Sequence, residues 1–170
     1  IGKTFDETGG SEYNAFMGET MTGSACTGTN VPQVDSTNSL NTYRKIEAAI
    51  SGGLVASCIS VERGGLAVAA AKSALAGKYG FTLDLGVLKE DPQLRDDTLL
   101  YSETQGRFIV SVNPSIKSKF VQSMSDVKFY EAGSVSSDGY IRFTGKDGKT
   151  IINTGIIDAD YHYRKSLEKY

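Results

Sequence analysis

The chain has 170 residues, 39% hydrophobic and 22% charged, which suits one folded soluble domain with a core and excludes a disordered chain. A formal net charge of -2 supplies no basic field for a phosphate backbone, so no nucleic-acid partner is expected. No apolar run nears the roughly 20 residues of a membrane span, no signal-peptide pattern is present, and Cys26 and Cys58 form no Cys-x-x-Cys pair, so the expected setting is reduced and cytoplasmic, with no membrane partner.

The chain opens at Ile1, without methionine, in a polar, glycine-containing segment, so a single domain over residues 1–170 cut from a longer polypeptide is expected. Gly9-Gly10-Ser11-Glu12-Tyr13 ends a loop and starts a short helix through about Met17. From Gly18 to Pro32 the composition is rich in Gly, Thr, Ser and Asn without periodicity, which predicts a loop. Leu40, Tyr43, Ile46 and Ile50 recur at helical spacing, predicting a helix over Ser36–Ser51 that ends at Gly52-Gly53.

Val55 to Ala76 reads as the centre of the fold. A short apolar strand meets a turn at Gly64-Gly65, then a helix from Leu66 in which residues 66 to 71 are all apolar. Such a helix has little polar face and is expected to be buried, closing at Gly77 and Gly80. The glycine pair is either a tight strand-to-helix turn or a place where the first helical amides meet an anion.

Phe81 to Leu85 alternates as a half-buried strand does, and Asp91-Pro92 opens a short helix over 92–101. A polar loop, Ser102 to Arg107, feeds a buried strand over Phe108–Val112. Asn113-Pro114 starts a helix with Ile116, Phe120 and Met124 on one face, and a strand is predicted from Val127 to about Val135. Turn signals at Asp138-Gly139 and Asp147-Gly148 frame strands near 140–144 and 150–154 as a meander of hairpins. Tyr163, Leu167 and Tyr170 fall at helical spacing. With the helix after Pro92 set aside, the predicted class is α/β (α+β): a ferredoxin-like βαββαβ core, an extra N-terminal helix and C-terminal β-hairpins.

Familiar catalytic patterns are missing. His162 is the only histidine, so neither a zinc site nor a Ser-His-Asp triad has support, and His162 is expected at the surface or in packing. There is no Gly-x-Gly-x-x-Gly. Gly148-Lys149-Thr150 resembles the tail of a P-loop, but Phe143 stands where that motif needs glycine. The acidic residues at 90–91 and 96–97 are expected on solvated faces.

Three stretches, in this order and spacing, carry a resemblance. They are Gly2-Lys-Thr-Phe-Asp-Glu-Thr-Gly-Gly-Ser-Glu-Tyr13, Gly64-Gly-Leu-Ala-Val-Ala69 and Leu100-Tyr-Ser-Glu-Thr-Gln-Gly-Arg-Phe-Ile-Val-Ser-Val112. From Ile1 to roughly Thr154 the chain resembles the C-terminal domain of the second half of the phosphoribosylformylglycinamidine synthase large subunit. That domain is related to the one in aminoimidazole ribonucleotide synthetase, selenophosphate synthetase, thiamine-monophosphate kinase and the hydrogenase-maturation ATP-dependent dehydratase. The resemblance implies an ATP- and Mg²⁺-dependent step of purine synthesis. The amide oxygen of formylglycinamide ribonucleotide is phosphorylated, and ammonia from glutamine displaces phosphate to give the amidine. It also implies partners: N-terminal domains of the same subunit, which hold much of the nucleotide machinery, a glutaminase subunit and a small bridging subunit. No residue of this chain is expected to be catalytic by itself. A non-catalytic nucleotide-binding or structural module is the alternative, and the dehydratase is the nearest rival enzyme.

The family commonly has His-Asp-x-Ser-Glu/Asp before the glycine pair, where this chain has Ile59-Ser60-Val61-Glu62-Arg63. A hydroxyl at Ser60 cannot replace carboxylate charge at a hard cation. Glu62 keeps an acid nearby, and Arg63 adds a phosphate-seeking cation. The resemblance thus implies either a weakened, auxiliary nucleotide site or positions that were never ligands. The candidate nucleotide- and phosphate-binding set is Gly9, Gly10, Ser11, Glu12, Ser60, Glu62, Arg63, Gly64, Gly65, Ser102, Glu103, Gln105 and Arg107, with no metal ligand. Gly9 to Glu12 form an anion nest or merely a helix start. Ser102, Glu103 and Gln105 line a cleft or are ordinary turn residues. Arg107 binds phosphate or a carboxylate, or pairs with Glu103.

Overall fold

The computed structural model describes residues 1–88 and 92–165. Its elements are α1 (Glu12–Thr22), α2 (Ser36–Ser51), β1 (Ser57–Val61), α3 (Gly65–Gly77), β2 (Gly80–Asp84), α4 (Asp96–Tyr101), β3 (Arg107–Ser111), α5 (Lys117–Ser123), β4 (Gly133–Ser136), β5 (Tyr140–Thr144), β6 (Thr150–Gly155) and α6 (Ile156–Lys165). They form two compact units, Ile1–Ala69 with Glu90–Phe129 and Ala70–Lys89 with Tyr130–Tyr170, the division falling inside α3. The mixed α/β class and the predicted strand–helix–strand–strand–helix–strand order are both present.

The pairing of those strands departs from a single ferredoxin-like sheet. β1 pairs antiparallel with β3 as a two-stranded sheet, while β4, β2, β5 and β6 form a second sheet in that order. β2 has β4 antiparallel on one edge and β5 parallel on the other, with Phe81 opposite Ile141. Residues 140–144, which the sequence suggests belong to a terminal meander, therefore lie inside the sheet, parallel to β2. Only Asp147-Gly148 closes a β-hairpin. Asp138-Gly139 carries the chain from β4 to β5 around the end of β2, where Gly80 fits beneath it: a Cβ there would lie 2.4 Å from the Tyr140 carbonyl oxygen.

In the first unit, Ser11 caps α1 by accepting from the Asn14 N–H at 3.1 Å. The helix runs past the expected Met17 to Thr22, with the Thr20 and Thr22 hydroxyls turned back onto the Phe16 and Gly18 carbonyls at 2.8 Å each, and it ends where Gly23, at a positive φ of 73°, donates to the Glu19 carbonyl. Asp35 caps α2, whose bounds match the prediction. Its buried face is Ile46 and Ala49, packed with Phe120, Met124 and Val127, whereas Leu40, Tyr43 and Ile50 are about half exposed. The face is therefore turned from the one the Leu40–Ile50 spacing suggested. The predicted helix at 92–101 shortens to α4, with Leu94 already buried ahead of it. Asn113 caps a single 3-10 turn, Pro114–Ile116, and α5 follows with Phe120 and Met124 buried as expected. Val127 to Ala132 is not strand. Val127 packs into the core and the Lys128 carbonyl accepts from the Gly2 N–H at 2.8 Å.

Ala67, Ala69, Ala70 and Ala74 of α3 are buried, in accord with its composition, and Lys78 ends the helix at a positive φ of 56°. In the second unit Leu83, Leu85, Ile141 and Phe143 are buried, and the Phe81 and Phe143 rings meet edge to face at 5.2 Å. His162 lies exposed on α6, edge-on to Tyr161. Cys26 and Cys58 are free and exposed. No helix among the described residues is long and apolar enough to cross a membrane. The expected contributions of Leu167, Tyr170, Asp91 and the acidic pair at 90–91 fall outside the described residues.

Candidate functional site

Every candidate residue lies in the first unit, and the three resembling stretches meet there. The floor is buried and polar. Arg107, 4% exposed, donates from Nε to the Thr104 carbonyl at 3.0 Å, from Nη1 to Thr4 Oγ1 at 3.0 Å and from Nη2 to the Ser102 carbonyl at 2.5 Å. A planar guanidinium fork suits several fixed oxygens at once. Ser102 is fully buried, with Oγ 2.8 Å from the Phe5 carbonyl oxygen and 3.0 Å from Thr104 Oγ1. The Phe5 N–H donates to Thr104 Oγ1 at 3.1 Å, and the Glu103 N–H donates to the Glu7 carbonyl at 3.2 Å. Residues 4–7 are thereby fastened along residues 102–107.

Above this floor one atom gathers two chain segments. Glu103 Oε1 accepts from the Glu12 N–H at 3.1 Å and the Gly64 N–H at 2.9 Å. The anion that meets the amide before α3 is thus the protein's own carboxylate. The Gly65 N–H goes to the Glu62 carbonyl at 2.9 Å. Gly64 and Gly65 both have positive φ, 85° and 69°. A Cβ at Gly65 would lie 2.5 Å from the Leu100 carbonyl oxygen and 2.7 Å from Tyr101 Cα, so the backbones touch where only glycine fits.

The Gly9 and Gly10 amides donate to the Asn30 and Thr27 carbonyls, and Gly9 also approaches the Asn30 backbone too closely for a side chain. Of the two readings for Gly9 to Glu12, the helix start is the one whose bonds are present, with Ser11 buried as its cap. The rim is exposed and charged. Arg63 pairs with Glu12, Ser60 Oγ donates to Glu62 Oε1 at 2.5 Å, and Gln105 Nε2 donates to the Glu103 carbonyl at 3.0 Å. No three His, Cys, Asp or Glu side chains among the described residues gather closely enough to hold a metal ion.

Sequence reasoning misses some neighbours of the site that lie within or just beside these motifs. The Tyr13 and Tyr101 rings stack with centroids 4.8 Å apart, and Tyr13 donates to Asp97 Oδ2 at 2.8 Å. Burial, then the bond to Asp97, pushes the Tyr13 phenol up to about 12; burial also raises Tyr101. Burial acts to raise the Asp97 carboxyl, but the bonds from Tyr13 and Arg95 outweigh it and hold it below the usual carboxylate range. Asp97 is thus a partner of the α1–α4 contact, not a plain solvated charge. Glu7 is buried and accepts the Gln33 N–H at 3.0 Å through Oε1, tying the loop after α1 to the floor.

Residues 1–146 match the family described as AIR synthase related protein, C-terminal domain. Over 168 residues the chain is 33% identical to the phosphoribosylformylglycinamidine synthase subunit PurL of Methanocaldococcus jannaschii, which covers 98% of this chain and 21% of the relative. The chain spans about a fifth of the length of the curated relatives it matches. Among solved structures, T. maritima PurL complexed with FGAR has a TM-score of 0.75 at 19% identity, covering 93% of this chain and 26% of that one. T. maritima PurL complexed with ATP has a TM-score of 0.61 at 18% identity, covering 69% of this chain and 21% of that one. At those identities the likeness shows the fold.

Proposed function

Because the chain belongs to the AIR synthase related protein, C-terminal domain family, we propose that it is the C-terminal domain of an ATP-dependent, amidine-forming synthase. The reaction is conversion of formylglycinamide ribonucleotide to formylglycinamidine ribonucleotide in cytoplasmic purine biosynthesis. The observation that carries this reading is the convergence of the three resembling stretches on one buried polar floor, joined at Glu103. The sequence relative's name and the FGAR- and ATP-bound fold neighbours support it. N-terminal domains of the same subunit, a glutaminase subunit and a small bridging subunit are the proposed partners.

In this reading the buried residues Gly9, Ser11, Gly64, Gly65, Ser102 and Arg107 keep the shape of the face. Glu12, Glu62, Arg63, Gln105 and the Gly10 backbone present it to ligand, with Ser60 and Glu103 between the two groups. Arg63 fits a phosphate oxygen of ATP or substrate in charge and exposure. Mg²⁺ does not fit here. Ser60 brings no carboxylate, and the described residues offer no cluster of acids to seat a hard cation. The domain's share of catalysis is to position anionic groups, with the reacting atoms held elsewhere in the longer polypeptide.

Ser60 also favours a second reading, an auxiliary module that supports its neighbours without meeting the reacting centre. A chimaera separates the two. This chain replaces the aligned 168 residues of the M. jannaschii relative, and product is measured from formylglycinamide ribonucleotide, ATP and ammonia. Turnover that falls about tenfold on Arg63→Gln supports the synthase reading. Turnover indifferent to Arg63 and to Ser60→Asp supports the auxiliary module. A folded chimaera that binds substrate without making product overturns the first reading.

A further inference from the structure

Glu12 and Arg63 form the exposed ion pair of the rim, with Arg63 Nε 2.5 Å from Glu12 Oε1 and the side chains 53% and 79% exposed. An exposed pair of this kind is too weak to order two long side chains unaided. Their backbones, however, are not independent. The N–H of Glu12 and the N–H of Gly64, the residue after Arg63, end on the same atom, Glu103 Oε1. The result is a closed ring: carboxylate to Glu12 amide, along Glu12 to Arg63, and back through the Gly64 amide. The carboxylate itself stands on rigid ground, because Ser102 and Thr104 on either side are buried and bonded to Phe5, and the Glu103 N–H is held by Glu7.

We propose that Glu103 is a positioning residue that orients Arg63 toward an incoming phosphoryl group, by fixing the Glu12 and Gly64 backbones with one carboxylate oxygen. The phosphoryl ligand rests on the function proposed above; the positioning does not. Reach, more than charge, is what the two amides require. Gln keeps an acceptor oxygen at the same distance, whereas Asp keeps the charge and is one methylene too short to span both amides.

Amide hydrogen exchange and the Arg63 Nε–H signal, followed by NMR on the whole chain, test this. Glu103→Gln is expected to leave protection at Glu12, Gly64 and Arg63 Nε within about threefold. Glu103→Ala and Glu103→Asp are expected to speed exchange at all three by about tenfold, the upper end of the usual weight of one intramolecular hydrogen bond. Added formate should restore protection in Glu103→Ala by returning a carboxylate to the two amides. If Glu103→Ala does not fold, the Gln and Asp variants still decide between reach and charge. Unchanged exchange in Glu103→Asp, or a response at one amide alone, overturns the proposal. Titration with inorganic phosphate then addresses the ligand. Movement of the Arg63 Nε–H signal in the parent and not in Glu103→Asp supports it. No movement in the parent counts against the phosphate reading while the exchange result stands.

Discussion

β2 and β3 are both five-residue strands, yet they are held in different ways. In the second unit β2 has a backbone ladder on each edge, to β4 and to β5. In the first unit β3 has one ladder, to β1, and the loop entering it is secured by side chains reaching backbone: Ser102, Glu103, Thr104 and Arg107. A ladder tolerates most side chains, because its bonds are made by groups every residue carries. A side-chain floor depends on particular residues with a particular reach. The unit that carries the candidate site is the one built in the less tolerant way.

Substitutions ordered by size sharpen that contrast. Phe143→Ala should cost most, about 4 kcal/mol, because it empties a fully buried ring position; the denaturation midpoint reports it. Gly65→Ala comes next at about 3 kcal/mol, from a positive φ and a Cβ driven into three backbone atoms. Gly148→Ala, at a similar φ with open space around it, should cost about 1 kcal/mol. Equal losses at the two glycines would break the claim that packing sets the difference. Arg107→Lys should cost about 2 kcal/mol despite keeping the charge, since an ammonium cannot serve the Ser102 and Thr104 carbonyls and Thr4 in one plane.

The smallest effect lies in the second unit. Asp138 accepts from Arg142, Ser136 and the Tyr140 N–H, which hold its carboxyl down to about 2. A depressed carboxyl stabilises the turn fully above its ordinary value near 3.8, and that contribution disappears as pH falls through about 2. The Tyr140 amide resonance should titrate with a midpoint near 2 and move upward toward 3.8 in Arg142→Gln. A midpoint near 3.8 in the parent chain would remove the bonded turn.

The sequence was most legible where periodicity and capping agree. For α2 the recurrence of Leu40, Tyr43, Ile46 and Ile50 and the stop at Gly52-Gly53 give the observed bounds, and the structure adds Asp35 as the cap. For α1 the sequence suggests too early an end, since Thr20 and Thr22 read as loop residues although their hydroxyls are satisfied inside the helix. The pairing of β2 with β5 was hidden for a different reason: nothing local in Tyr140–Thr144 says which distant edge it joins. Motif order brought the candidate residues together. It could not separate Arg107, which lies buried under the loop, from Arg63, which stands on the rim, because both are arginines beside glycine.

The parallel pairing of Phe81 with Ile141 also has a kinetic consequence. About sixty residues must leave the ribosome after β2 before its parallel neighbour β5 exists, and that interval contains β3 and α5 of the other unit. Closing so long a loop is slow, and until it closes β2 exposes an unpaired edge. Nascent chains ending before Tyr140 should therefore be the species that chaperones retain and proteases clear first.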